Sequence, residues 1–487
     1  MPAPIISACP VRTRFGVLSI RPFIRFFSHT PVHHLRSTEL TPDYLSSLRS
    51  NPDRIWTDIH TSASKFGPGR RWGQDPTHTG LTRLTLTDHD KAARDWFVET
   101  TKSLHCDVKV DAIGNTFAIR PGLNNDVPAT FVGSHLDSQP LGGRFDGVLG
   151  VCAGIEMLRV LNDNHIETEG PVGVVNWTNE EGARFPVSMM GSGVWAGAQD
   201  LQSIYKLKEV NAGTNGQRRT VKEELERIGY LGNIPASPIE GVRMAGHFEL
   251  HIEQGPKLDS EKKSVGVVEG VQSYQWYEIR VWGQASHAGA TEFKYRADAL
   301  LFASGIVVKA REMAEKAGVL ATVGILRAEP GSVNTTPDSV YMTLDIRHRD
   351  NEMVATFAAD FQGWLKQAAG REGGITFEMS KTFESRATKF DEVAIACVRD
   401  SAGAVTGKHD VPSMTSGAGH DSVNTSKHCP TAMVFVPCRK GVSHHPEEWC
   451  EKEHCAVGTD VIVQSVLRFD QWRHKEGHFG GSLDSNG

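Results

Sequence analysis

Five short segments concentrate the side chains that can ligate a metal or move a proton. They are GSHLD (133–137), GRFDG (143–147), NEEGARF (179–185), FELHIEQG (248–255) and GVSHHP (441–446). Together they supply imidazoles and carboxylates, the ligand set that suits Zn²⁺ and similar divalent ions. Taken singly, each has an ordinary structural explanation. A lone histidine near a strand end is usually a hydrogen-bonded structural residue. A Glu180–Glu181 pair is usually a solvated loop, and Asp146 before Gly147 a turn or helix cap. Their coincidence points the other way. Two of the clusters follow predicted strands, and each keeps small residues where backbone must pass closely. The eight cysteines offer no comparable pattern: no pair has C-x-x-C spacing, and Cys450 with Cys455 lacks a second pair. They read as reduced thiols of an intracellular chain, since one this long needs no disulfide framework.

The elements that must position these clusters follow from hydrophobic patterning. ATFVGS (129–134) reads as a buried strand ending at a polar cluster, and GPVGVVNW (170–177) as a second. Between them, residues 146–162 carry apolar side chains at helical spacing. A helical opening spans residues 41–65 and leads to a glycine-rich turn at 66–69. Alternating strand and helix predicts an α/β fold with a mostly parallel central sheet flanked by helices. In such sheets functional groups gather beyond the carboxyl ends of the strands. From about residue 265 the pattern changes to strand (275–282), helix (296–316), strands (320–326 and 340–346), helix (353–369) and strand (375–383). That order predicts an inserted α+β lid domain over 265–385. It divides a catalytic domain into 39–264 and 386–478, the second part holding a helix near residue 393, a strand at 431–437 and a helix at 459–472.

The 487 residues suit two compact units, and 39% hydrophobic with 23% charged residues describes a soluble globular protein. A formal charge of -6 argues against nucleic acid and anionic lipid as partners. No apolar run is long enough to span a bilayer. Residues 1–38 differ in kind. They hold Arg12, Arg14, Arg21, Arg25 and Arg36, and no acidic residue precedes Glu39. That composition predicts a mitochondrial targeting segment and a matrix location, although Pro10 and Pro22 interrupt any long helix. The alternative is a basic tail on a cytoplasmic protein. Residues 479–487 read as a disordered tail.

The motifs SHLDS, GGRFDG, NEEGARF, ELHIEQG, SHAG, SVNTTP, DIRH, SGAGHDS and GVSHHP follow one another across nearly the whole chain beyond its N-terminal tail. In this order they resemble the amidase/hydantoinase/carbamoylase branch of the aminoacylase-type metallopeptidase clan. The resemblance implies a zinc-peptidase-like catalytic domain and a pair of divalent ions, Zn²⁺ favoured, with Mn²⁺ or Co²⁺ compatible. His135, Asp146 and His251 would surround one ion, and Asp146, Glu181 and His444 the other, with Asp146 bridging. His445 adjoins His444 where the family more often has asparagine, which leaves open which of the two binds. Asp137 would fix the tautomer of His135, and Glu180 would be the general base. In a homodimer formed through the lid, His287 would reach the scissile carbonyl of the partner subunit's substrate. Arg347 would grip a substrate carboxylate, with Gln254 and Asn334 as further polar contacts.

The implied reaction is hydrolysis of the ureido C–N bond of an N-carbamoyl amino acid, N-carbamoyl-β-alanine being favoured. N-carbamoyl-L-α-amino acids and allantoate are the nearest rivals, and an aminoacylase or dipeptidase the more distant ones. A catalytically silent binding relative would have lost Glu180 or a ligand, and none is missing.

Overall fold

The computed structural model describes residues 34–211, 216–407 and 411–477. Most of the segment read as a targeting sequence, and the tail from residue 478, lie outside them. The expected limit of the first at residue 38 needs correction. Leu35–Arg36 pairs in parallel with Ile166–Glu167, and Arg36 grips Glu169 through two nitrogens at 3.1 and 2.9 Å. Ser37 Oγ donates to buried Asp470 at 2.6 Å. Residues 35–38 therefore belong to the folded body. The helical opening also divides, into Pro42–Ser47 and Pro52–Lys65, each starting with proline after a capping Thr41 or Asn51. Proline suits a first helical position but biases the residue before it to an extended conformation, which breaks the run there.

The larger sheet has nine strands. Four lie parallel at its centre, in the order Thr431–Val436, Met244–Ile252, Ala129–His135 and Val172–Trp177. Thr116–Arg120 and Asp107–Val110 extend one side antiparallel. On the other side stand Gly266–Val271 and Thr388–Lys389, also antiparallel, with Ser413–Ser416 parallel to Gly266–Val271. The central strands are buried on both faces, which explains their near-continuous apolar sequences. Val148–Asp163 packs beneath them with most of its surface buried, beside the C-terminal helix Lys452–Lys475. That last helix starts seven residues before its expected first residue, because its opening turn is polar and gives no apolar periodicity.

The second layer is a five-stranded antiparallel sheet covered by the helices Ala299–Ala317 and Asn351–Ala369. Its strands are Leu320–Thr322, Leu326–Glu329, Ser339–His348, Ser273–Trp282 and Thr376–Ser385. Ser339–His348 alternates buried and half-buried residues, as a one-sided sheet requires, and Met342, Leu344 and Ile346 meet Phe357 and Phe361 in a separate core. The expected boundary at 265 shifts, because Gly266–Val271 pairs within the larger sheet and the second layer begins at Ser273. No helix among the described residues is long and apolar enough to cross a membrane.

Candidate metal centre

Every candidate ligand lies at or just beyond the carboxyl end of a central parallel strand, where the fold gathers functional groups. His135 closes Ala129–His135, and His251 falls one residue before the end of Met244–Ile252. Glu180 and Glu181 follow Val172–Trp177, and His444 lies in the loop after Thr431–Val436. Asp146 precedes Gly147, the cap of Val148–Asp163. Gly147 has φ 68°, and a Cβ there would come within 2.4 Å of the His135 ring, so only glycine lets the turn pass. Asn179, at φ 56°, holds the next turn through its amide, which donates to the carbonyls of Phe185 and Val187.

The two oxygens of Asp146 face different sets of partners. Oδ1 lies 3.5 Å from His135 Nε2 and 3.1 Å from His251 Nε2. Oδ2 lies 3.3 Å from His444 Nε2, which is itself 3.4 Å from Glu181 Oε2. These groupings, His135–Asp146–His251 and Asp146–Glu181–His444, share one carboxylate as a two-ion site requires. The geometry selects His444 over His445, whose Nδ1 instead accepts the Glu447 N–H. A third grouping, Glu249–His251–His420, is already satisfied. Glu249 accepts from Ser134 and Ser422, and His420 Nε2 is bonded to Ser416.

The histidine tautomers show that the residues fit cations. His135 Nδ1 lies 2.9 Å from the Asp137 carbonyl, and His251 Nδ1 2.8 Å from that of Ile252. A carbonyl only accepts, so both Nδ1 atoms carry hydrogen. Each neutral ring then turns its Nε2 lone pair toward Asp146 Oδ1, and two electron-rich atoms face each other. Either the rings take up second protons or a cation lies between the partners. Without one, the cluster shares protons. Burial opposes it, yet the three imidazoles hold the Asp146 carboxyl well below the usual carboxylate range. Burial, reinforced by Asp146, pushes Glu181 up to about 7, and the bond to Asp146 raises His444 to about 9. Burial also raises Glu180, whose Oε2 lies 3.6 Å from His135 Nε2.

The expected role of Asp137 is corrected in one respect. Its main-chain carbonyl, not its carboxylate, fixes the tautomer of His135; the nearer carboxylate oxygen is 3.8 Å away. The carboxylate accepts the N–H groups of Glu180 and Glu181 at 3.2 and 3.3 Å and so holds their turn. Gln139 was not expected. It donates to both Glu181 oxygens, at 3.1 Å from its backbone and 2.8 Å from its side chain. Its place two residues beyond Asp137 was the available signal.

A cavity of about 190 Å³ opens over the cluster, lined by Asp146, Glu180, Glu181, His251, Gln254 and Arg347 among others. Gln254 donates to Asp146 Oδ2 at 2.9 Å, and its own Oε1 is buried without a partner. Arg347 comes from the second layer. It is bound to Asp345 at 2.7–3.0 Å, donates to the Gly417 carbonyl at 2.7 Å and stacks on Tyr274. His287 and Asn334 lie outside this cavity, His287 on the short pairing of Ser286–His287 with Thr335–Thr336 and Asn334 just before Thr335, where its carbonyl accepts the Ala288 N–H at 2.9 Å, and both are exposed. His287 Nδ1 accepts the N–H groups of Gly289 and Ala290 at 3.1 and 3.2 Å, which leaves the ring's hydrogen on Nε2.

A mixed sheet with a parallel centre and a shared carboxylate–imidazole cluster at its strand ends, beside a separate α+β layer, defines a metal-dependent hydrolase. The chain belongs to peptidase family M20/M25/M40, whose model matches residues 131–468. It is similar to the N-carbamoyl-L-amino-acid amidohydrolase of Rhizobium meliloti, at 37% identity over 86% of this chain and 96% of that protein. It is also similar to a ureidoglycolate hydrolase of Arabidopsis thaliana, at 30% identity over 81% and 83%. Among solved structures, an amidase of the hydantoinase/carbamoylase family from Burkholderia multivorans superposes with a TM-score of 0.79. Its identity is 39%, over 87% of this chain and 99% of that one.

Proposed function

We propose that the chain hydrolyses the ureido C–N bond of an N-carbamoyl amino acid, N-carbamoyl-β-alanine first among them. The observation that carries this reading is the meeting of Glu180, the two ligand groupings and Arg347 around one small cavity. Arg347 in a lining that also holds Glu180 and Gln254 suits a substrate that carries a carboxylate as well as a ureido group.

When bound by His135, Asp146 and His251 and by Asp146, Glu181 and His444, two divalent cations would acidify a water and polarise the carbamoyl oxygen, Zn²⁺ being favoured and Mn²⁺ or Co²⁺ compatible. Glu180 takes the proton from the attacking water and returns it to the leaving nitrogen, so one base serves both steps. The C–N bond breaks, the free amino acid departs, and the carbamic acid left behind decomposes to CO₂ and NH₃. Arg347 holds the substrate carboxylate, with Gln254 as a further polar contact and Asn334, which adjoins His287 outside the cavity, as another that reaches it from a second copy of the chain. His287 serves from a second copy of the chain, its Nε2–H donating to the oxygen that gains charge. Two features support that homodimer. His287 lies outside the cavity of its own chain, and the outer face of the second layer exposes Leu301 (71%), Val308 (60%) and Leu320 (63%). We also place the protein in the mitochondrial matrix, with the cytoplasm as the alternative. A fusion of residues 1–33 to a fluorescent protein that stayed diffuse would remove that assignment.

Resemblance to proteins named for N-carbamoyl-L-amino acids and for ureidoglycolate favours a second reading, in which an α-substituted ureido acid is the better substrate. Ammonia release from a panel of N-carbamoyl-β-alanine, N-carbamoyl-L-α-amino acids, allantoate and ureidoglycolate separates them. The highest kcat/KM is expected on N-carbamoyl-β-alanine. A higher value on an α-substituted acid transfers the assignment to it, and no ammonia from any of the four ends the ureido reading.

A further inference from the structure

Glu448 lies four residues beyond His444, almost fully buried, and none of its atoms lines the cavity. Its two oxygens look in different directions. Oε1 accepts the backbone N–H groups of Phe145 and Asp146, both at 3.0 Å. Oε2 accepts Ser443 Oγ at 2.8 Å, and that hydroxyl lies 3.4 Å from Asp146 Oδ2. One carboxylate thus ties the turn carrying Asp146 to the loop carrying His444, across about three hundred residues of sequence. Space for it is built into the chain. A Cβ on Gly143 would come within 2.1 Å of the Glu448 carboxylate, so the second glycine of GGRFDG is where that carboxylate is seated.

The arrangement matters because His444 is the least constrained of the ligands. Its side chain is half exposed, and its backbone sits at φ 54° in a loop, whereas His135 and His251 are fixed within strands. Asp146 can bridge only if Oδ1 faces the strand histidines while Oδ2 faces the loop histidine. Two backbone bonds and one hydroxyl bond from a single rigid group fix that relation. We propose that Glu448 is a positioning residue for the second cation, setting the register between the Asp146 turn and the His444 loop. The inference rests on the two-cation reading of the site.

The test is metal binding, measured on the full chain after chelation by titrating Zn²⁺ against a chromogenic competitor, with a melting curve beside it. Wild type is expected to take up two equivalents; fewer would end the two-cation reading itself. Glu448→Ala should weaken at least one of the two by roughly ten- to a hundredfold, the effect seen when groups supporting a metal ligand are removed. Glu448→Gln keeps an oxygen for both N–H groups and should bind close to wild type, a rescue that separates hydrogen bonding from charge. Ser443→Ala, which removes the hydroxyl that Glu448 Oε2 shares with Asp146 Oδ2 and Gln254 Nε2, should fall between them, and decides the matter if Glu448→Ala does not fold. Kd values equal to wild type in Glu448→Ala, or in Ser443→Ala when that variant stands alone, would overturn the proposal even if melting temperatures fall.

Discussion

Two groups of polar residues stand in contrast. The inner group, His135, Asp146 and His251, is at most 4% exposed, and two of its members are fixed within strands of the larger sheet. The outer group, His287 and Asn334, is exposed on and beside a short two-stranded pairing at the second layer. Arg347 stands between them, projecting from the second layer into the cavity of the first. The difference shows what each task demands. Holding a doubly charged ion among carboxylates needs ligands fixed before it arrives, with their outer nitrogens already engaged. Stabilising a charge that exists only during turnover needs a donor present at that moment, and such a donor can come from another copy of the chain.

Substitutions can break this contrast at several points. Glu180→Ala should cost most, roughly 10²–10⁴-fold in kcat, with metal content unchanged; turnover near wild type would remove Glu180 from its role. His287→Ala should lower kcat by about 10²–10³-fold, the cost of one lost oxyanion donor. Mixing and re-equilibrating the Glu180→Ala and His287→Ala proteins sharpens the comparison further. If His287 acts across subunits, mixed dimers regain one intact site and activity returns; if it acts within its own chain, the mixture stays inactive. Arg347→Ala should raise KM on the carboxylate substrate about ten- to a hundredfold, since a charged hydrogen bond contributes about 1.5–3 kcal/mol, while kcat changes little. Asn334→Ala should have the smallest effect, within about tenfold in kcat/KM, equivalent to a neutral hydrogen bond of ~1 kcal/mol.

Part of the metal centre was legible because apolar strands carry their polar residues to one end. ATFVGS and GPVGVVNW announce such strands, and their carboxyl ends deliver His135 and the Glu180–Glu181 pair. Met244–Ile252 gave no comparable signal. Its His247 and Glu249 interrupt the apolar run, and only in the fold do Ser134 and Ser422 satisfy Glu249. The same limit hid Glu448, a buried acid whose partners lie about three hundred positions away. Sheet membership is equally non-local. Nothing within Gly266–Val271 itself distinguishes pairing with Thr431–Val436 from pairing within the second layer. Asp137 was implied by the family resemblance, but which of its oxygens meets His135 depends on a backbone conformation that a motif does not specify.

Anomalous diffraction from crystals of the Zn²⁺-loaded protein tests the central claim most directly. Two peaks flanking Asp146 are predicted, one beside His135 and His251 and one beside Glu181 and His444. A single peak, or density remote from the Asp146 carboxylate, would contradict a site in which one carboxylate joins two cations.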